Sequence, residues 1–188
     1  MSFTNDFKVC PMCGSSKINN INNRKWLCPD CGFDLYNNVA AAVGIILADN
    51  DGNILFEKRA KEPRCGYFAL PGGFVNPDES LEEAAVRECF EETGIKPESV
   101  SYLCSFPNTY EYKNITYKTC DSFFTARIPE GTDSIELLMQ QLHGQQSEVL
   151  GFVSVHAGGR NDIDGIPLAF GSAEKALECW LENYKRKQ

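Results

Sequence analysis

The stretch GFVNPDESLEEAAVRECFEETGI, residues 73–95, predicts a glycine loop followed by a helix. Asp78 or Ser80 can cap the helix N-terminus, because either side chain can accept a hydrogen bond from a free backbone N–H of the first turn. Two glutamates follow in that turn and place negative charge at the positive end of the helix dipole. Gly94 stands where a left-handed residue would end the helix. The helix should therefore run between these caps.

Three glutamates of this helix point to a metal site. Glu88, Glu91 and Glu92 occupy positions i, i+3 and i+4, which predicts that they project from one face. Carboxylates this close repel each other, and a divalent cation would offset the repulsion. Mg²⁺ takes oxygen ligands and joins carboxylates to substrate phosphates, so the cluster favours phosphate hydrolysis. Taken alone, the three glutamates are more typical of a solvated acidic helix.

Two further residues of the stretch predict an ion pair. Arg87 directly precedes the glutamates, and Glu79 stands two turns earlier at the mouth of the same helix. A bond between them would hold the glycine loop against the helix, which is a positioning role. Gly72 and Gly73 permit a sharp turn and a close approach of the backbone at this loop.

The spacing within residues 73–95 resembles a known signature. It reads glycine, five residues, Glu, seven residues, Arg-Glu, an apolar position, one residue, Glu-Glu, one residue, Gly and an apolar position. Every one of these positions matches the Nudix box. The resemblance implies an α+β fold, the family's αβα sandwich with a mixed β-sheet, and hydrolysis of a nucleoside diphosphate linked to another moiety. The functional positions that it implies are Mg²⁺ or Mn²⁺ ligands at Glu88, Glu91 and Glu92, a helix-orienting pair at Glu79 and Arg87, and a loop glycine at Gly73.

The rest of the chain predicts a mixed sheet with helices on its faces. A continuous apolar run at 39–47 predicts a buried strand, and the sequence NDGN that follows predicts a tight turn. Further strands are expected at 54–59, 66–70, 100–106, 109–117, 119–127 and 149–155, with a turn at Lys113-Asn114. Helices are expected at 134–142 and 172–185, and a loop at 157–164.

Two C-P-x-C pairs near the N-terminus predict a separate small module. Each pair brings two thiolates onto one tight turn, and the fourteen residues between the pairs can form a hairpin. Residues 1–36 have too few apolar residues for a core, so a structural Zn²⁺ would stabilise this zinc ribbon. The zinc ligands would be Cys10, Cys13, Cys28 and Cys31, which leaves no open coordination position for catalysis. Residues 37–188 would form the Nudix domain.

The cysteine count leaves one alternative open. Two C-x-x-C pairs also occur in thiol-redox proteins, in which the thiols would be redox-active and free of zinc. The chain has nine cysteines, and the five outside the pairs are expected to be buried thiols that act as small apolar residues.

Charge and hydropathy exclude some classes of function. The formal net charge of −8 argues against broad nucleic-acid binding, which needs a basic surface. No apolar run approaches the roughly 20 residues of a membrane span. Residues 1–8 lack the apolar stretch of a secretion signal, so we expect a cytoplasmic protein with no membrane partner. The zinc ribbon can cover part of the main domain, mediate a homodimer or contact a partner.

The substrate stays open. A zinc ribbon before a Nudix box resembles the NADH diphosphatase group, whose Ser-Gln-Pro-Trp-Pro-Phe-Pro-like motif corresponds here to CSFPNTY at 104–110. This stretch lacks the Gln, the Trp and the repeated prolines. The candidates are therefore NADH, ADP-ribose, a dinucleoside polyphosphate, a sugar nucleotide and a damaged nucleotide. The alternative function is a regulatory module that senses a nucleotide and docks a partner through its zinc ribbon.

Several residues outside the box are weaker candidates. Glu148 resembles a downstream acidic position that some Nudix members use as general base, but a surface glutamate before a strand would look the same. His143 and His156 lack the spacing of metal ligands. The candidates for stacking on a base, which could equally pack on the sheet, are Tyr110, Tyr112, Tyr117 and Phe170.

Overall fold

The computed structural model describes residues 7–112, 115–129, 132, 134–140, 142 and 148–185. The strands are β1 (Asn19–Ile21), β2 (Lys25–Leu27), β3 (Asp34–Tyr36), β4 (Ala40–Ala48), β5 (Asn53–Arg59), β6 (Phe68–Ala69), β7 (Ser101–Tyr112), β8 (Ile115–Arg127) and β9 (Val149–His156). The helices are α1 (Leu81–Thr93), α2 (Ile135–Met139), α3 (Arg160–Ile163) and α4 (Gly171–Lys185). Among the described helices, none combines the length and apolar character that crossing a membrane requires.

The N-terminal strands form a small antiparallel sheet in the order β1-β2-β3. Trp26 lies on the middle strand, and its side chain is buried. The ring of Phe7 packs edge-on against the Trp26 ring, with their centroids 5.1 Å apart. A sheet of three short strands has little apolar surface to bury, so its stability should depend on the cysteine cluster that it carries.

The main sheet has six strands, in the order β6-β5-β4-β8-β7, with β9 paired to β5. β4 and β8 run parallel, whereas the other pairs are antiparallel, so the predicted mixed sheet is confirmed. β4 is a continuous apolar run because both of its faces are covered. Val43, Ile45 and Leu47 belong to one core and Ile46 to the other.

Helices cover both faces of this sheet. α1 and α2 pack on one face, where Ala84, Ala85, Cys89, Ile135 and Leu138 join the core. α3 and α4 pack on the opposite face, where Ile163, Ala176, Leu177, Trp180 and Leu181 join the second core. The predicted αβα sandwich is confirmed, and Leu177, Trp180 and Leu181 form a buried apolar stripe along α4.

α1 begins and ends at caps that its sequence predicts. Ser80, and not Asp78, is the N-cap: its Oγ accepts a hydrogen bond from Glu83 N at 3.2 Å, and the Glu83 carboxylate accepts one from Ser80 N at 2.8 Å. Gly94 ends the helix with φ 80° and donates its N–H to Phe90 O. These two caps fix which residues of the helix face the sheet.

The region 100–127 differs from the prediction of three strands. It forms two long strands, β7 and β8, which pair antiparallel from Ser101↔Thr125 to Tyr112↔Ile115. Pro107 does not break β7, because β7 is the edge strand and an edge position tolerates the missing N–H. The predicted turn at Lys113-Asn114 lies outside the described residues.

Other boundaries also differ. The stretch predicted as a loop at 157–164 contains α3. The strand predicted at 66–70 is shorter and spans only Phe68–Ala69. The helix predicted at 134–142 is also shorter, because α2 spans only Ile135–Met139. The expectation of five buried thiols is wrong for four of them. Cys89 is buried, Cys104 and Cys179 are half-buried, and Cys65 and Cys120 are exposed.

Candidate functional site

A cleft with a volume of about 420 Å³ lies between the glycine loop, α1 and the strands of the main sheet. The loop runs beside β4, since Val43 N donates to Gly73 O and Ile45 N donates to Pro71 O, each at 2.9 Å. Gly72 has a φ of 154°, and a Cβ atom there would lie 2.1 Å from Val43 O. Glycine is therefore required for this close approach of the loop to β4.

Arg87 fixes the loop to the helix, as the sequence predicts. Its Nε and Nη2 donate to the two oxygens of Glu79 at 2.7 and 2.9 Å, and Nη2 also donates to Phe74 O at 3.1 Å. The hydrogen bonds from Arg87, followed by one from the backbone N–H of Asn76, lower the pKa of Glu79 to about 2. This two-pronged ion pair links the start of α1, the loop and the glutamate-bearing turn.

The three predicted metal-binding glutamates do not all face the cleft. Glu88 and Glu92 line it, and Glu92 is only 5% exposed, with an oxygen that accepts from Gly72 N at 2.7 Å. Glu91 is exposed and bonds to Arg87 Nη1 at 3.0 Å instead. The reason is the helix period: consecutive residues are about 100° apart, so Glu91 points well away from Glu92.

Glu57 on β5 is a cleft residue that the sequence reasoning missed. It is 2% exposed, and its Oε2 has no hydrogen-bond partner in the part of the chain that the structure describes. Burial, followed by the charges of Glu148 and Glu88, raises the pKa of Glu57 to about 8 against the opposing charge of Arg59. A lone carboxylate directly after the apolar run Ile54–Phe56 was the available signal.

Burial and the charge of Glu57 raise the pKa of Glu92 well above its usual range, and the hydrogen bond from Gly72 opposes them. Burial is also the main cause that raises the pKa of Glu88, against the hydrogen bond from Arg87. The cleft thus holds carboxylates that are unfavourable to ionise together without a cation.

Cationic side chains also line the cleft. Arg59 lies over the Phe170 ring at 5.1 Å from its centroid. Lys61 Nζ bonds to Glu148 Oε1 at 2.6 Å, and this bond raises the pKa of Lys61. Glu148 therefore lies at the cleft, as its resemblance to a downstream acidic position implies. His156 is exposed at the end of β9, and His143 lies outside the described residues.

An aromatic wall, Phe74, Tyr110, Tyr112 and Phe170, forms one side of the cleft. The ring of Tyr110 packs edge-on against Phe74 with a centroid distance of 5.4 Å, and it packs tilted against Phe170 with a centroid distance of 5.7 Å. Tyr117 packs on Phe74 at 5.7 Å but does not line the cleft. Three of the four stacking candidates from the sequence therefore face the cleft, and Phe74 is an additional member.

A polar group beside the aromatic wall was also missed. The buried carboxylate of Asp121 accepts from Asn108 Nδ2 at 2.8 Å and from Ser172 Oγ at 2.6 Å. Thr119 Oγ1 is buried there, and none of the described residues forms a hydrogen bond with it. These residues come from β7, β8 and α4, and no local pattern in the sequence links them.

The cleft residues fit a divalent cation. Carboxylate oxygens are the donors that Mg²⁺ and Mn²⁺ prefer, and the unpartnered Glu57 Oε2 is one of them. A Cβ atom on Gly73 would lie 2.5 Å from Glu88 Oε1, so glycine lets Glu88 sit against the loop. Among the described residues, no three carboxylates place oxygens within 4.8 Å of one another. A cation here would therefore complete its shell with water or substrate oxygens, as Mg²⁺ commonly does.

The only group of sulfurs that meets this distance among the described residues is in the N-terminal ribbon. One sulfur each from Cys10, Cys13, Cys28 and Cys31 lies within 4.8 Å of the others. The Cys10–Cys31 and Cys13–Cys28 sulfur pairs are each 3.7 Å apart. A zinc tetrahedron with 2.3 Å bonds has S–S edges of roughly 3.8 Å, so the cluster is consistent with a zinc ribbon.

Two curated relatives match part of the chain. An NAD-capped RNA hydrolase of Schizosaccharomyces pombe is 33% identical over 116 residues, which cover 54% of this chain and 31% of the relative. An ADP-ribose pyrophosphatase of Methanocaldococcus jannaschii is 53% identical over 72 residues, which cover 38% of this chain and 41% of the relative. The chain thus spans less than half the length of either relative.

Solved structures show the same fold at low identity. A NUDIX hydrolase from Nitrosomonas europaea aligns with a TM-score of 0.66 and 23% identity over 97% of this chain and 94% of that one. The NUDIX domain of Shewanella oneidensis NrtR, complexed with ADP ribose, aligns with a TM-score of 0.60 and 22% identity over 83% and 92%. The family model described as "NUDIX domain" matches residues 39–157, more than half of the chain. The chain therefore belongs to the Nudix family.

Proposed function

We propose that this protein is a Mg²⁺- or Mn²⁺-dependent hydrolase that cleaves the diphosphate bond of a nucleoside diphosphate linked to another moiety. The observation that carries this proposal is the composition of one cleft. The cleft is lined by carboxylates from α1, two cationic side chains and an aromatic wall. These three groups are suited to bind the metal, the phosphates and the nucleobase of the substrate, respectively. A pure binding module would have no need for the buried carboxylates, which are costly to keep without a cation.

Each group of side chains has a distinct task in this proposal. Arg59 and Lys61 attract the phosphates, and the ion pair of Glu79 with Arg87 holds the loop and α1 in register. Glu88, Glu91 and Glu92 would hold the metal, after Arg87 Nη1 releases Glu88 and Glu91. The bound cation would neutralise phosphate charge and make water a better nucleophile. Glu148, which is bonded to Lys61, would accept a proton from that water.

The substrate class follows from the aromatic wall and the relatives. Tyr110 and Phe170 offer ring faces to a base, and Asp121 offers an acceptor near them. We rank ADP-ribose first, because a relative named ADP-ribose pyrophosphatase shares 53% identity over its matched region. NADH and the NAD end of a capped RNA come next, since another relative is named for the latter. The cytoplasmic location, a homodimer and little affinity for nucleic acid at large remain predictions.

Metal removal tests this function. Protein treated with EDTA should release no phosphate from ADP-ribose or NADH, and added Mg²⁺ or Mn²⁺ should restore the release. The protein is first removed by filtration and excess Mg²⁺ and Zn²⁺ are added, because EDTA would also inactivate alkaline phosphatase; alkaline phosphatase then frees phosphate only from the cleaved products. Zinc content is measured in the same samples, so that loss of ribbon zinc is not mistaken for loss of the cleft metal. Full turnover in EDTA would contradict the proposal.

The ribbon would hold a structural Zn²⁺ through its four cysteines, and the division into a ribbon at 1–36 and a Nudix domain at 37–188 belongs to the same proposal. Gly14 N and Gly32 N donate to the carbonyls of Cys10 and Cys28 at 2.9 Å, which shapes each pair into a tight turn. Four thiolates fill a tetrahedral shell, so the metal would stabilise the ribbon without taking part in hydrolysis.

Cys28→Ser should therefore lower bound zinc from about one to well below one per chain, because a serine cannot supply the fourth thiolate. The ribbon should unfold at a lower temperature than in the unsubstituted protein, since metal binding supplies most of its folding energy. Zinc is measured by elemental analysis and unfolding by thermal melts. Cys65→Ser, an exposed cysteine outside the ribbon, is the control. Equal zinc in both variants would refute the four-thiolate site.

A further inference from the structure

The side chain of Glu57 is unusual among the buried acids of this protein. It lies on β5 and lines the cleft, is 2% exposed, and has no hydrogen-bond partner for Oε2 among the described residues. A buried oxygen in this state costs roughly 1–3 kcal/mol, and more for a charged group. A protein can tolerate this cost when a bound ion or molecule, which is not part of the chain, satisfies the oxygen.

The other buried acids show what a purely structural carboxylate looks like here. Asp49 accepts from the backbone of Asp51 and Asn53 and from the Asn53 amide, at 2.9 to 3.0 Å. Asp121 accepts from two side chains, those of Asn108 and Ser172. Asp49 and Asp121 are thus satisfied by donors of the protein, whereas none of the described residues donates a hydrogen bond to Glu57 Oε2.

The surroundings of Glu57 are those of a cation ligand. Its carboxyl lies against that of Glu92, and the charges of Glu88 and Glu148 also act on it. Arg59, two residues along β5, is the opposing positive charge, but it is turned to Pro63 O at 3.1 Å and to the Phe170 ring. The site therefore concentrates oxygen atoms that can coordinate a hard cation. None of the described residues donates a hydrogen bond to Glu57 Oε2.

We propose that Glu57 is a further carboxylate ligand of the divalent cation in the cleft, contributed by the sheet opposite the ligands on α1. This inference rests on the proposed function, because it assumes that a cation binds beside Glu88 and Glu92. It adds a ligand from outside the 73–95 segment. A ligand on β5 would fix the cation to the rigid sheet as well as to the helix, and this would satisfy Oε2.

The test measures binding of Mn²⁺ alone by calorimetry, with no substrate present. Glu57→Gln keeps the side-chain volume but removes the charge, and we expect Mn²⁺ affinity to fall about tenfold or more. Glu82→Gln is the matched control, since Glu82 is exposed on the first turn of α1 and does not line the cleft. Its Mn²⁺ affinity should equal that of the unsubstituted protein.

A second measurement separates a ligand from a structural residue. Without metal, Glu57→Gln should melt at the same temperature as the unsubstituted protein or higher, because it removes a buried acid that faces other acids. The rise in melting temperature on adding Mn²⁺ should shrink. Unchanged Mn²⁺ affinity, with or without lower metal-free stability, would overturn the inference. If the unsubstituted protein itself binds no Mn²⁺, the proposed function fails and the inference fails with it.

Discussion

Glu92→Gln should lower kcat/KM on the preferred substrate by about a hundredfold or more while the protein still folds. Loss of a residue that merely supports a metal ligand costs about 10- to 100-fold, and loss of a ligand should cost at least as much. Glu92 is the most buried of the three glutamates, Glu88, Glu91 and Glu92, that are proposed to bind the metal. The amide oxygen of glutamine can still accept the bond from Gly72 N, so the loop should keep its position.

The measurement compares kcat/KM in Mg²⁺ for Glu92→Gln, Glu91→Gln and the control Glu82→Gln, each shown to be folded by circular dichroism. Glu82→Gln should have unsubstituted activity. Glu91→Gln should lose less activity than Glu92→Gln, because Glu91 is exposed and bonded to Arg87 outside the cleft lining. Near-normal turnover by Glu92→Gln would remove the assigned metal role of this residue.

The parts of the fold that could be predicted from sequence are those in which the cause is local. The caps of α1 depend on Ser80, Glu83 and Gly94, which lie within one helix length of one another. Glu79 directly precedes the N-cap of α1, and its partner Arg87 lies on the second turn of that helix, only eight positions along the chain. The cysteine cluster likewise joins two short motifs across one hairpin.

The missed features depend on residues that only the folded sheet brings together. Glu57 meets Glu92 because the glycine loop and α1 pack against β4, the strand next to β5 in the sheet. The sequence of β5 alone shows only a carboxylate after an apolar run. Asp121 meets Asn108 and Ser172 through strand pairing and the packing of α4. The continuous strand through Pro107 was missed because its edge position is a property of the whole sheet.

A single methyl group added at the turn of the glycine loop should disturb the fold more than a change in any of these side chains. Gly72→Ala should lower the free energy of unfolding by roughly 3 kcal/mol, because the new Cβ meets backbone and the residue has a φ that L-residues rarely adopt. The methyl group would lie 2.1 Å from Val43 O and 2.8 Å from Gly44 Cα. Neither atom can move without shifting β4, whose core residues are packed on both sides.

This loss corresponds to a fall in melting temperature of roughly 6–12 °C for a chain of this size. Thermal and urea unfolding followed by circular dichroism measure it, and Gly151→Ala is the control because a Cβ there meets nothing within 4 Å. The control should hold its stability, since alanine suits a strand at least as well as glycine. The activity of any Gly72→Ala protein that remains folded should also fall, because a shift of the loop would disturb the hydrogen bond from the backbone N–H of residue 72 to the Glu92 carboxylate. If Gly72→Ala had the same melting temperature and activity as Gly151→Ala, the cleft would not depend on the position of the glycine loop.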